Sequence, residues 1–343
     1  MGICISVASS EIHNQAENEN NHENVIFLGE NIISHEVQKP AGSVFSRQGS
    51  KGLNQDAGIL CQGYGMEDGA FCGVFDGHGK NGHVASKIVR NRLPSLILSQ
   101  KHALSNNKAA AANNRNFQID REDAEMEPSN EFYKWKEACV SAFKVMDKEV
   151  KLQENLDCSC SGTTAVVVIR QGEDLVIANL GDSRAVLGTI TDNGELKAVQ
   201  LTTDLKPGLP CEADRIRKCN GRVLALKEEP HIQRVWLPNE DSPGLAMSRA
   251  FGDFLLKNHG IIAIPDISYR RLTSNDQFIV LATDGVFDVL SNNQVVSIVR
   301  EAHKDQEAAR AVVEAAKAAW KKKFPSSKID DCTVVCHFLQ KTR

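Results

Sequence analysis

The sequence predicts an α+β fold in which antiparallel sheets are covered by helices. Short β-branched and apolar runs split by turn residues recur along the chain. Long segments of helical period come in pairs instead of alternating one for one with those runs. With 41% hydrophobic and 24% charged residues among 343, the chain can bury a sizeable core.

Residues 9–24 are rich in Asn, Glu, Ser and His, with almost nothing apolar between Ile12 and Val25. That composition reads as a tether. Residues 25–40 show no clear period. Residues 1–40 are therefore assigned to a flexible tail, and a single domain is expected over 41–340. Residues 57–61 and 70–75 read as strands around a glycine-rich turn at 63–69. Residues 82–100 predict a helix interrupted or ended near Pro94. The polar stretch 101–128 reads as a variable surface insertion. Helical spacing resumes over 132–154, at Phe132, Trp135, Cys139, Ala142, Phe143 and Met146. Strands are expected at 163–169, 175–180, 185–189, 278–283 and 332–339. Helices are expected at 211–219, 292–302 and 306–324. No repeat of fixed period is present.

The formal net charge of −4 argues against a protein that holds nucleic acid by electrostatics. The run Lys321-Lys322-Lys323 closes a helical segment, where it complements the helix dipole. Ten cysteines are scattered without a C-x-x-C pair, and Cys158 and Cys160 have no matching His or Cys pair. Reduced thiols in an intracellular protein are expected. No apolar run has the length of a membrane span. The chain opens Met1-Gly2-Ile3-Cys4-Ile5-Ser6, which fits an N-myristoylation pattern at Gly2. One acyl chain binds membranes only marginally, so Cys4 is assigned as a palmitoylation site. The expected location is cytoplasmic, at the plasma membrane, or both, with the nucleus left open.

Three apolar runs finish on an acidic residue. Phe71–Phe75 ends in Asp76-Gly77, the run to Leu180 ends in Gly181-Asp182, and the run to Thr283 ends in Asp284-Gly285, with Asp288 one helical turn on. Asp330-Asp331 stands before the last strand. A single Asp-Gly after a strand is usually a turn. Several carboxylates at one rim repel each other and must protonate or take a cation. Hard oxygen donors favour Mg²⁺ or Mn²⁺ over zinc. His78, set between glycines in Asp76-Gly77-His78-Gly79, suits a general acid.

Five segments in order then resemble the type 2C serine/threonine protein phosphatases, the plant members most. They are Phe75-Asp76-Gly77-His78-Gly79, Ser161-Gly162-Thr163-Thr164-Ala165, Asn179-Leu180-Gly181-Asp182-Ser183-Arg184-Ala185, Leu245-Ala246-Met247-Ser248-Arg249-Ala250-Phe251-Gly252-Asp253 and Ala282-Thr283-Asp284-Gly285-Val286-Phe287-Asp288-Val289. The resemblance covers roughly residues 41–340. It implies a four-layer α-β-β-α sandwich with two central antiparallel sheets and a metal site in the cleft. It implies hydrolysis of phosphoserine and phosphothreonine in proteins by a water bridging at least two Mg²⁺ or Mn²⁺ ions. Asp76 would bridge two metals and the Gly77 carbonyl would bind one. Asp284 and Asp330 would bind the other, and Asp182 and Asp288 would hold a weaker third. His78 would be the general acid. Arg249 and Asp253 would lie beside a flap that contributes to substrate selection. Phosphorylated proteins are the implied partners, and a monomer is expected.

Two residues depart from the family pattern. Lys51 stands where an arginine usually grips phosphate; it keeps the charge and loses the fork. Gln55 stands where a ligand glutamate is usual, leaving Asp56 as the acid that takes over. Activity with looser metal or phosphate binding is expected. The alternative is a catalytically weakened scaffold of the same fold, which the retained Asp76, Asp284 and Asp330 oppose. Trp236 suggests a receptor contact in one plant subgroup, but its surroundings do not match that subgroup, so a packed aromatic is the expected reading.

Overall fold

The computed structural model describes residues 24–29, 42–112, 130–302 and 304–340. Its first strands are β1 (Val25–Leu28), β2 (Gly42–Arg47), β3 (Ala57–Gln62), β4 (Ala70–Phe75) and β5 (Gly77–His78). Helices α1 (Gly82–Ala112) and α2 (Asn130–Lys151) follow. Then come β6 (Gly162–Thr163), β7 (Ala165–Gln171), β8 (Asp174–Leu180), β9 (Arg184–Ile190) and β10 (Leu196–Gln200). A peripheral subdomain holds α3 (Pro210–Lys218), β11 (Arg222–Ala225), β12 (Gln233–Trp236) and β13 (Pro243–Leu245). The chain returns through β14 (Phe251–Gly252), β15 (Asp266–Arg271), β16 (Asp276–Ala282) and the single turn α4 (Asp284–Phe287). It ends with α5 (Asn292–Glu301), α6 (Ala308–Lys323) and β17 (Cys332–Phe338).

One sheet has the order β1-β3-β4-β7-β8-β15, the other β10-β9-β16-β17-β2. Their central strands are buried on both faces, and the period-2 alternation sorts side chains between two apolar layers. On β7, Val166 and Val168 point into the layer between the sheets, while Val167 and Ile169 meet α1 and α2. On β16, Ile279 and Leu281 point inward, while Phe278, Val280 and Ala282 meet α5 and α6. Each such side chain contributes roughly 1.5–3 kcal/mol of burial. The result is the expected α-β-β-α sandwich.

Three features differ from the sequence reading. Val25–Leu28 falls within the expected tail, yet it pairs in parallel with β3, so the first sheet is not wholly antiparallel. Asn24 fastens this edge by donating from Nδ2 to the Asp56 carbonyl at 2.8 Å. Helix α1 does not stop near Pro94 but runs through it to Ala112. The Pro94 carbonyl accepts the Tyr64 hydroxyl at 2.7 Å, and Leu93, Leu96 and Ile97 are buried around it, so packing outweighs the lost helical bond. Residues 101–112, expected within a surface insertion between helices, continue α1; 113–129 lie outside the described residues. So do Gly2 and Cys4. Among the described residues no helix is long and apolar enough to cross a membrane. The nine described cysteines are all free thiols.

Candidate active site

The expected acids do meet at one rim of the sandwich. Asp76 follows β4, Asp182 follows β8, Asp284 follows β16, and Asp330 precedes β17. Asp56, immediately before β3, joins them and is 1% exposed. Burial raises the Asp76 carboxyl well above the usual range, and the charges of Asp284, Asp56, Asp330 and Asp182 raise it further. Burial, then Asp182 and Asp330, lift Asp284 to about 8. Asp56 is raised well above the ordinary value by burial and Asp331, and Asp288 is raised by burial. Asp288 sits on the turn begun by Asp284, its N–H bonded to the Asp284 carbonyl at 2.9 Å.

Hydroxyl groups hold this frame. The Asp76 N–H donates to Thr164 Oγ1 at 3.0 Å, and the Thr164 N–H returns a bond to the Asp76 carbonyl at 2.9 Å. Thr283 Oγ1 donates to Asp56 Oδ2 at 2.9 Å and accepts the Thr333 N–H at 3.1 Å. Asp331 accepts from the Gly49 and Gln55 N–H groups at 2.7 and 2.8 Å, which shapes the loop before β3. Gln55 abuts Gly82 at the start of α1, with its Oε1 buried and without a hydrogen-bond partner.

Two lysines stand against the acids. Lys51 pairs with Asp330 and is half exposed at the rim. Burial disfavours its ammonium, yet Asp330 and more distant acids hold its pKa above the ordinary value. Lys206 pairs with Asp182, whose side chain is 2% exposed. Burial likewise opposes its charge, and Asp182, Asp284 and Asp288 outweigh it.

His78 is placed by a small sheet in the order β14-β6-β5. Its Nε2 lies 2.6 Å from Oδ2 of Asp253, a carboxylate 1% exposed; its Nδ1 is buried without a partner. Burial disfavours the imidazolium, but Asp253 outweighs it and raises the pKa above the ordinary histidine value. The fit requires Gly162, where a Cβ would stand 2.6 Å from Asp253 Oδ2 and 3.0 Å from His78 Nε2. Asp253 itself has φ +50°, a strained setting for a non-glycine residue.

Arg249 does not face the site as a free cation. Its guanidinium is committed to Glu212, at 2.7–3.3 Å, and to the Ile264 carbonyl at 2.9 Å. Glu212 also takes a bidentate pair from Arg215 at 2.8 Å, and Ser248 Oγ lies 2.5 Å away. Burial opposes its charge, but these donors bring its pKa down to about 2. This cluster fastens α3, and with it the peripheral flap of α3 and β11–β13, to the segment that leads to Asp253. Trp236 is packed in the flap, its indole N–H on the Leu224 carbonyl at 3.0 Å. Thr164 and Thr283 lie inside resembling segments, which assign them no role, and the contacts of Lys206 and Glu212 have no local signal, since they reach Asp182 and Arg249 from 24 and 37 positions away.

The donor set is all oxygen and mostly anionic. Asp182 Oδ1 and Gln55 Oε1 are buried without partners. Among the described residues no group of three or more His, Cys, Asp or Glu side chains is arranged to hold a metal ion. Two of the acids are paired with lysines. Clustered carboxylates whose ionisation is suppressed by one another fit hard divalent ions and disfavour soft ones.

Residues 41–323 match the Protein phosphatase 2C family. The chain is 55% identical to "Probable protein phosphatase 2C 72" of Arabidopsis thaliana, over 99% of this chain and 98% of that protein. It is 50% identical to "Probable protein phosphatase 2C 12" of Oryza sativa subsp. japonica, over 99% and 92%. Among solved structures, serine-threonine phosphatase 2C from Toxoplasma gondii superposes with a TM-score of 0.74 at 27% identity, over 89% of this chain and 99% of that one. The strand-end acids, the histidine beside them and these likenesses lead to one conclusion: the chain belongs to the protein phosphatase 2C family.

Proposed function

We propose that the protein hydrolyses phosphoserine and phosphothreonine in protein substrates, using two or more Mg²⁺ or Mn²⁺ ions. The observation that carries this is the meeting of buried and partly buried acids from four strand ends beside a histidine paired to a carboxylate. Asp76, the Gly77 carbonyl, Asp284 and Asp330 would hold the principal ions, with Asp56, Asp182 and Asp288 around them. Bound divalent ions supply an activated water and offset phosphoryl charge. Lys51, at the rim, meets the incoming phosphate as a point charge. Asp253 orients His78 and favours its imidazolium, which gives a proton to the departing serine or threonine oxygen.

We further propose that Gly2 is myristoylated and Cys4 palmitoylated, which would place the enzyme on a membrane surface. The support is the sequence pattern alone. The catalytic domain is read as a monomer in the cytoplasm or at that surface.

A phosphothreonine peptide should release phosphate with Mn²⁺. Chelator, or Asp76→Asn, should reduce the rate by at least about 10³-fold; persistence of turnover in both would exclude a metal-dependent reaction. His78→Gln and Asp253→Asn should slow a phosphoserine peptide by about 10²-fold, in the range of a general acid. Both should slow p-nitrophenyl phosphate far less, because its leaving group needs little protonation. For Asp253→Asn the basic limb of the kcat profile should move to lower pH. Equal losses on the two substrates would remove the acid role.

The raised acids also fix the pH dependence of the apo protein. Groups whose folded pKa exceeds the unfolded value favour folding below about pH 4, and this contribution fades as pH rises through the folded pKa, about 8 for Asp284. In chelator the Tm should fall from pH 5.5 to 8.5. Mn²⁺ should raise it more at pH 8 than at 5.5, as read by scanning calorimetry. Intact-mass analysis of natively expressed protein should show both acyl groups; an unmodified N-terminus would refute the membrane assignment.

A further inference from the structure

We propose that Lys206 is a tethered competitor for a divalent ion at the Asp182–Asp288 side of the site, so that an ion enters there only by displacing the lysine ammonium. This rests on the reading of the acids as metal ligands and adds a residue that tunes them.

The geometry comes first. Lys206 Nζ pairs with Asp182 Oδ2, and the other oxygen of that buried carboxylate has no partner. Asp284 and Asp288 act on the same ammonium from one turn of α4. Asp182 is thus in contact with a cation that belongs to the protein, and the charges of Asp284 and Asp288 add to the field that holds it.

The lysine is not on a free loop. The Leu205 N–H bonds the Gly181 carbonyl at 2.9 Å, next to Asp182 itself. The Leu205 carbonyl accepts the Ser248 N–H at 2.8 Å, with Ser248 Oγ also 2.8 Å away. Asp204 is gripped by Arg184 at 3.0 and 2.6 Å, and Arg184 is tied on to Asn292 at 2.7 Å. The backbone before Lys206 is therefore fixed on two sides. Its ammonium is presented to Asp182 at high effective concentration. An entering ion must break that pair before it gains the Asp182 oxygens. A competing charge so held weakens ion affinity on this side relative to the Asp76 side.

Mn²⁺ titration of the full chain tests this, with free Mn²⁺ read by electron paramagnetic resonance and heat by calorimetry. Lys206→Met should tighten one Mn²⁺ site by about tenfold, the scale of one close charge contact at a partly screened site. Lys206→Arg, which keeps the charge, should not. Adding Asp288→Asn to Lys206→Met should abolish the gain. Lys206→Gln carries the same expectation as Lys206→Met should the latter fold poorly. Unchanged or weaker binding in the neutral variants, beside wild-type binding that Asp76→Asn removes, would overturn the competitor role and leave the metal reading standing. Absence of any Mn²⁺ binding sensitive to Asp76→Asn would overturn both.

Discussion

The structure is organised around a concentration of like charge at a rim only partly open to water. Asp56, Asp76, Asp182, Asp284, Asp288 and Asp330 sit at one rim, and burial together with mutual repulsion resists the ionisation of at least four of them. A fold selected for stability alone would disperse such groups or replace them with apolar ones. Here they are kept and their backbones are locked. Thr164 and Thr283 bond carboxylate-bearing segments from both sheets, so the acids cannot relax apart. The strain is the useful property, because a divalent ion relieves it.

The two-sheet core makes this possible. Each of these acids except Asp288 stands at or near the end of a strand, so its position follows from sheet register and from the packing between the sheets. Inward side chains such as Val166, Val168, Ile279 and Leu281 are fully or almost fully buried and close-packed. A one-residue slip would turn each strand over and disrupt that core. The precision of the rim is therefore inherited from apolar residues that do no chemistry.

This division decides what could be read from sequence. The strands were visible because their apolar runs are dense and their ends are marked by glycine and aspartate. The acids were visible as a set because the same punctuation recurs. Asp253 as the partner of His78 was not, since 175 positions separate them and no local pattern couples them. The resemblance places Arg249 beside the flap, but its commitment to Glu212, 37 positions away, was not legible, because its sequence neighbourhood says nothing of that partner. Pro94 read as a helix end because local propensity is all a sequence shows, while Tyr64 and the buried leucines decide otherwise. Val25–Leu28 read as tail because four apolar residues carry no period.

The two electrostatic systems of the molecule also respond to pH in opposite senses. The rim acids are raised, so their protonated forms favour the folded apo protein and that contribution disappears as pH rises. Glu212 is lowered to about 2, so its bonds to Arg215, Arg249 and Ser248 are complete near neutrality and fail only in strong acid. The flap brace is thus constant over the range in which the rim changes charge. Ser248 touches Glu212 through its hydroxyl and the Leu205 carbonyl through its N–H, and Lys206 follows directly. A brace that does not titrate is what allows one lysine to be held against acids whose charge depends on whether an ion is bound.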